Sequence, residues 1–240
     1  MREFLTPVAA VHPPPADPGT ARYVRSYLIM RTLVGTLGLA LPFVLVLLDG
    51  LWFDGDPFPR TSLSAYYYSG AREVFVGALS ATGVFLITYK VAEVNLDNTL
   101  SLLAGVAVLG VAMFPTDRSS DAIALTPLQD RLGESVVAGI HFTAAGAFIL
   151  SLAAISYYFG KREGARRAAV GRRSPRFWQR YHWICAGTIL AALAWSAVTE
   201  LSGWGPSRSL LYGEAVAVWA FGASWLWKGL ELDMLRGGPS

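Results

Sequence analysis

Six apolar stretches, at residues 27–48, 72–90, 98–115, 135–159, 181–200 and 210–228, account for most of the chain. Each is long enough, at about 17 to 25 residues, for a helix that crosses some 30 Å of hydrocarbon. Hydrocarbon offers no hydrogen-bond partner to exposed backbone, so runs of this kind fold as helices whose N–H and C=O groups satisfy one another. The predicted fold class is all-α: a polytopic membrane protein with six transmembrane helices in one bundle. Composition points the same way, because 53% of the residues are hydrophobic and only 15% charged, against about 25% charged in an ordinary soluble chain. Soluble enzymes are thereby largely excluded.

Residues 1–25 contain HPPPADPGT and no apolar run, which predicts a flexible tail, neither a helix nor a signal peptide. Residues 26–229 form the predicted transmembrane domain, and 230–240 a short C-terminal tail. Six crossings place both termini on one side. Basic residues resist translocation and collect in short cytoplasmic loops. Fifteen of the twenty Lys and Arg lie on the side of the termini, and only Arg60, Arg72, Arg118, Arg131 and Arg208 lie opposite. Both termini are therefore expected in the cytoplasm. Seventeen of the basic residues are Arg, which with abundant Ala, Gly and Val suggests a bacterial chain and hence the bacterial cytoplasmic (inner) membrane.

The single cysteine, Cys185, and three scattered histidines, His12, His141 and His182, offer no metal-ligand spacing. No metal, no cofactor and no catalytic set is predicted. Small residues recur every four positions at Gly139, Thr143, Ala147 and Ser151, at Thr188, Ala192 and Ser196, and at Gly77 and Ala81. Such faces let helix backbones approach closely, either within one bundle or in a homo-oligomer.

Ionisable residues at membrane depth cost at least ~2.5–3.5 kcal/mol on insertion scales, so each calls for a partner or a purpose. Arg31 is expected to snorkel to headgroups. His141 is either a hydrogen-bonded packing residue or a group for proton transfer or ligand binding. Glu214, in a first helical turn, is read either as a cap paired with Arg208 or as part of a site. The segment RTSLSAYYYSGARE, residues 60–73, places Ser64, Tyr67, Arg72 and Glu73 at the outer mouth of span two. Its tyrosines are either interfacial anchors or part of a re-entrant segment. With Trp52, Phe53 and Trp204 they would line the outer interface, and Tyr157, Tyr158, Phe177, Trp178, Trp225 and Trp227 the inner one. Arg72, Glu73, His141, Glu200 and Glu214 are expected to form one polar cluster in the outer half of the bundle, with Ser64 and Tyr67 as further binding candidates. Lys161, Arg162, Arg166, Arg167, Arg172, Arg173 and Arg176 make a basic loop expected to touch acidic lipid on the inner surface.

SLSAYYYSGAREVFVGALSATGVFLITYK, AGVAVLGVAMFPTD, HFTAAGAFILSLAAISYYF and EAVAVWAFGASWLWKG together resemble an uncharacterised family of bacterial six-span integral membrane proteins. The likeness covers roughly residues 60 to 229. In its order of elements, a Ser-rich outer loop before span two and a His-Phe start to span four, the chain is also distantly similar to the Frag1/DRAM/Sfk1 membrane proteins. The resemblance implies a six-span membrane protein and carries over no functional residue. The expected function is non-enzymatic: binding lipid, or organising or sensing the cell envelope. A small-solute or proton-coupled transporter and a membrane-embedded lipid-modifying enzyme are the alternatives. Membrane lipids are the expected partners, and nucleic acid is not.

Overall fold

Each of the six apolar stretches forms one long helix in the computed structural model, which describes residues 18–53, 58–88, 96–170 and 177–234. The helices are α1 (Pro18–Leu51), α2 (Arg72–Thr88), α3 (Leu96–Met113), α4 (Pro127–Leu132), α5 (Glu134–Val170), α6 (Phe177–Ser202) and α7 (Ser209–Met234), with a short 3-10 helix at Ser64–Tyr68. There is no strand among the described residues. Ile29–Leu51, Glu134–Ala165 and Phe177–Ser202 are long and apolar enough to cross a membrane, and Asn98–Met113 is a shorter apolar helix. The chain is thus an all-helical membrane protein.

Four helices, α1, α5, α6 and α7, outrun their apolar stretches by a turn or more. Residues 18–25, expected in a tail, are the first turns of α1, because a proline at the first helical position is pre-set for the helix and lacks an N–H that would go unpaired anyway. Residues 161–170, expected in a loop, continue α5, since Lys, Arg, Glu and Ala are strong helix formers. Residues 230–234 likewise belong to α7. Apolarity sets where a helix can sit in lipid, whereas caps and breakers set where it stops.

The helices pack as a ring in the order α1, α7, α6, α5, α3, α2, with the α1–α2 contact the thinnest. Glycines set the closest crossings. A Cβ on Gly105 would stand 2.7 Å from the Gly83 carbonyl, and one on Gly35 2.9 Å from the Leu226 backbone. The every-fourth stripe of α5 turns inward only at its far end: Gly139 and Thr143 are exposed and nothing lies within 4 Å of a Cβ on Gly139 or Gly77, whereas Ala147 packs on the core and Ser151 is buried. The buried face of α5 runs instead through Val137, His141, Phe148, Leu152, Phe159 and Glu163. Spacing marks a stripe without saying which way it faces.

One end of the bundle is closed by residues 58–71, the cap segment. Arg60 pairs with Asp49 at the end of α1 (2.7 Å), the Leu211 N–H donates to the Thr61 carbonyl (3.0 Å), and Arg208 donates to the Pro59 carbonyl (2.6 Å). Tyr68 donates to the Thr116 carbonyl and accepts from Gln129, both at 2.7 Å. Gln129 also completes the capping box with Thr126 that starts α4. Gly133, at φ 87°, ends α4 so that α5 can begin at the next residue. Arg118 grips both carboxylate oxygens of Glu134, at 3.0 and 2.9 Å. All these ties join the loops that follow α1, α3, α4 and α6 at a single end.

Tyr66, only 1% exposed, and Tyr67 are core residues of the cap, not interfacial anchors. Burial pushes the Tyr66 and Tyr68 phenols above their ordinary value, so both stay neutral at physiological pH. Trp52, Trp204 and Phe53 are exposed at this end, and Tyr157 and Phe177 at the other. Trp225 is fully buried.

Candidate functional site

The cap segment descends into the bundle at Ser62, Leu63 and Ser64, all buried. Chain entering a helical core brings polar backbone with it, and that backbone must be satisfied. The Leu63 N–H donates to Glu214 Oε2 of α7 at 2.5 Å, and the Ser64 N–H and hydroxyl also contact that carboxyl. Ser62 Oγ accepts the Ala65 N–H at 3.0 Å, opening the 3-10 turn. Glu214 thus holds the lowest point of the cap.

Ser64 Oγ lies 2.9 Å from Nε2 of His141, a residue 1% exposed on α5. The other ring nitrogen, Nδ1, is 2.6 Å from the Phe114 carbonyl, which is freed where α3 ends ahead of Pro115. A carbonyl can only accept, so Nδ1 carries a hydrogen. If the ring is neutral, Nε2 accepts the Ser64 hydroxyl, and the bond between Ser64 and Glu214 then needs a proton on the carboxyl. If the ring is charged, Nε2 donates to Ser64 and Ser64 donates to a carboxylate. The two arrangements differ by one proton relayed through Ser64, and each satisfies every partner. Ser64 thus stands between His141 and Glu214.

Two cavities meet at these residues. An apolar chamber of about 80 Å³ runs inward between α1, α2, α5 and α7, lined by Leu41, Phe75, Leu79, Phe148 and Phe221, with Ser64 and Glu214 at its head. A half-open groove of about 200 Å³ lies between α5, α6 and α7 and brings His141, Glu214 and Glu200 together along walls that include Phe142, Ile149, Leu193 and Ala217.

Of the five residues expected to cluster, His141, Glu200 and Glu214 therefore share a wall, and Ser64 links two of them. Arg72 does not join them. Its guanidinium donates to Tyr67 Oη at 2.7 Å and lies over the Tyr67 ring at 4.3 Å, and Glu73 beside it is exposed. Neither lines the groove. The two residues start α2 on its exposed side, a rotation that depth alone does not predict. Arg208, expected to pair with Glu214, turns instead to the Pro59 carbonyl and the Phe58 ring.

A second buried polar layer was not foreseen. Arg31, 3% exposed, does not snorkel: its guanidinium lies between the rings of Phe159 (4.8 Å) and Trp225 (5.1 Å). His182 Nδ1 meets Ser224 Oγ at 2.8 Å, and Glu163 is buried on the same half of α5 as Phe159. Ser224 is ten residues from Glu214 on α7, so the layers stand about 15 Å apart. His182 is the second residue of the apolar stretch 181–200, but α6 begins a turn earlier, at Phe177, and His182 is buried in the core.

Of the basic residues expected on the inner surface, Lys161 and Arg162 are exposed on α5, with Lys161 Nζ 5.7 Å over the Tyr158 ring. Arg166 and Arg167 belong to the last turns of that helix. Arg172, Arg173 and Arg176 lie outside the described residues. Among the described residues no three His, Cys, Asp or Glu side chains gather as a metal site. Comparison with protein-family models, curated proteins and solved structures finds no match.

Proposed function

We propose that the protein is a six-span integral membrane protein of the bacterial cytoplasmic membrane, both termini inside, that binds a membrane lipid in the outer half of its bundle and serves the envelope as a binding or sensing component. The observation that carries this reading is the groove between α5, α6 and α7. Its acidic and histidine groups lie at the cap end and apolar side chains continue away from them, which is the order of a lipid's headgroup and chains. On this reading the cap end faces out, and the basic end of α5 with Lys161 and Arg162 rests on the inner leaflet.

Native mass spectrometry of the protein released from mild detergent tests it: at least one copurifying lipid should stay bound, and Gly213→Leu should release it. A Leu side chain there would fill the groove, because even a Cβ on Gly213 would overlap Ser196 Oγ. Complete delipidation without loss, in the wild type, overturns the reading.

A proton-coupled transporter is the second reading, favoured by the His141–Ser64–Glu214 relay. Proton uptake by proteoliposomes under an imposed potential, abolished by Glu214→Gln, is its test. The Ser64–His141 pair also has the spacing of a nucleophile and its base. Against hydrolysis stands Glu214, whose carboxyl occupies the Leu63 and Ser64 amides that would otherwise be positioned to steady an oxyanion.

A further inference from the structure

We infer that the groove between α5, α6 and α7 selects a lipid whose headgroup ends in a primary ammonium. This rests on the lipid-binding reading above and narrows it to a chemical class.

The selection follows from what the groove can still bond. Both ring nitrogens of His141 are engaged, Nδ1 by Phe114 and Nε2 by Ser64, so the histidine has nothing to give a ligand. Among the described residues lining the groove none is Lys or Arg. What remains is acceptor capacity: the exposed carboxylate of Glu200 at the mouth, the Glu214 carboxyl deeper in, and the hydroxyl of Ser196. Ser196 supplies the independent observation. Its residue is 6% exposed, and its Oγ has no hydrogen-bond partner among the described residues.

A buried hydroxyl left unpaired costs about 1–3 kcal/mol. Most helical serines avoid this by bonding the carbonyl one turn back, as Ser151 does to Ala147 at 2.7 Å. Ser196 instead holds its hydroxyl against Gly213, where a Cβ would come within 1.9 Å of it, so glycine keeps this wall open. An ammonium carries three donors and no acceptor. It matches three acceptors from two helices, whereas an anionic or hydroxyl-only head would leave the two carboxyl groups facing charge of their own sign or no cation. The apolar wall past Ile149 and Leu193 suits an acyl chain and gives nothing to a free, fully solvated amine.

Photoactivatable phosphatidylethanolamine, presented to the full chain in nanodiscs, tests the assignment by mapping crosslinks. Crosslinks on α5, α6 and α7 peptides, competed by unlabelled phosphatidylethanolamine and not by phosphatidylglycerol, are expected. Glu200→Gln and Ser196→Ala should each lower the crosslinking at least about tenfold, the loss of one bond to a charged group. Both changes keep side-chain volume nearly constant, and retention time on size exclusion checks the fold. Equal competition by phosphatidylglycerol overturns the ammonium assignment and leaves lipid binding standing. Equal competition by soluble ethanolamine overturns the lipid part. Absence of groove crosslinks from either phospholipid probe overturns both.

Discussion

Ser64 Oγ and His141 Nε2, 77 residues apart in sequence, stand 2.9 Å apart in the buried cap of the bundle. Neither residue would be tolerable there alone. The hydroxyl gives the ring a partner, the ring fixes the cap, and the Phe114 carbonyl fixes the tautomer.

That geometry makes a spectroscopic prediction. With Nδ1 held by an acceptor at 2.6 Å, His141 should show a protonated Nδ1 in 15N spectra of histidine-labelled protein, whether the ring is neutral or charged. A neutral ring protonated on Nε2 alone would contradict the relay. Ser64→Ala should shift the Nε2 resonance and cost about 1–3 kcal/mol, because it strands a buried ring nitrogen.

Glu214 should govern how firmly the cap is seated. Glu214→Ala removes the acceptor of the Leu63 N–H and the contact to Ser64, leaving buried donors unmet. Hydrogen exchange over residues 61–66 is expected to quicken by about one to two orders of magnitude, for 1–3 kcal/mol of local stability. Glu214→Gln keeps an acceptor oxygen and should quicken it less. Unchanged exchange in Glu214→Ala would mean that the ties of Arg60, Arg208 and Tyr68 hold the segment unaided.

How much of this was legible in the sequence depends on which coordinate a residue's role needs. Apolar runs give length and depth, and these sufficed to locate six long helices and to place His141, Glu200 and Glu214 at one end. They do not give rotation about the helix axis. Arg72 and Glu73 therefore joined the expected cluster by depth, though α2 turns them away from the groove. Arg31 looked close enough to an end to snorkel, but its face of α1 points at Phe159 and Trp225. The three tyrosines of the cap read as interfacial anchors or as part of a re-entrant segment, and neither reading places Tyr66 and Tyr67 in the core, where the 3-10 turn buries them. No local signal marks Ser64 as the partner of His141; only the descent of the cap brings them together.

The glycines discriminate between spacing and contact. Gly105→Val would force a side chain against Ile87 and the Gly83 carbonyl, at 2.6 and 2.7 Å from its Cβ. Overpacking of this kind typically costs about 1–3 kcal/mol, so the thermal midpoint in detergent should fall by several degrees. Gly139→Val meets nothing within 4 Å and should leave it unchanged or slightly raised, a β-branched residue being a better helix former than glycine. A larger loss at Gly139 than at Gly105 would mean that the exposed stripe of α5 packs against a second copy of the chain.

Topology is the most direct test of the proposed orientation. Reporter fusions after residues 95, 168 and 238 should read as cytoplasmic, and fusions near 56, 122 and 205 as exterior. The fifteen-to-five division of basic residues sets the sign. The ties that gather Asp49, Arg60, Thr116, Glu134 and Arg208 at one end require the three exterior fusions to agree with one another whatever that sign is. A reporter at 168 reading exterior, with 56, 122 and 205 all cytoplasmic, would invert the orientation, moving the ammonium groove to the inner leaflet. Disagreement among 56, 122 and 205 would break the six-span arrangement itself.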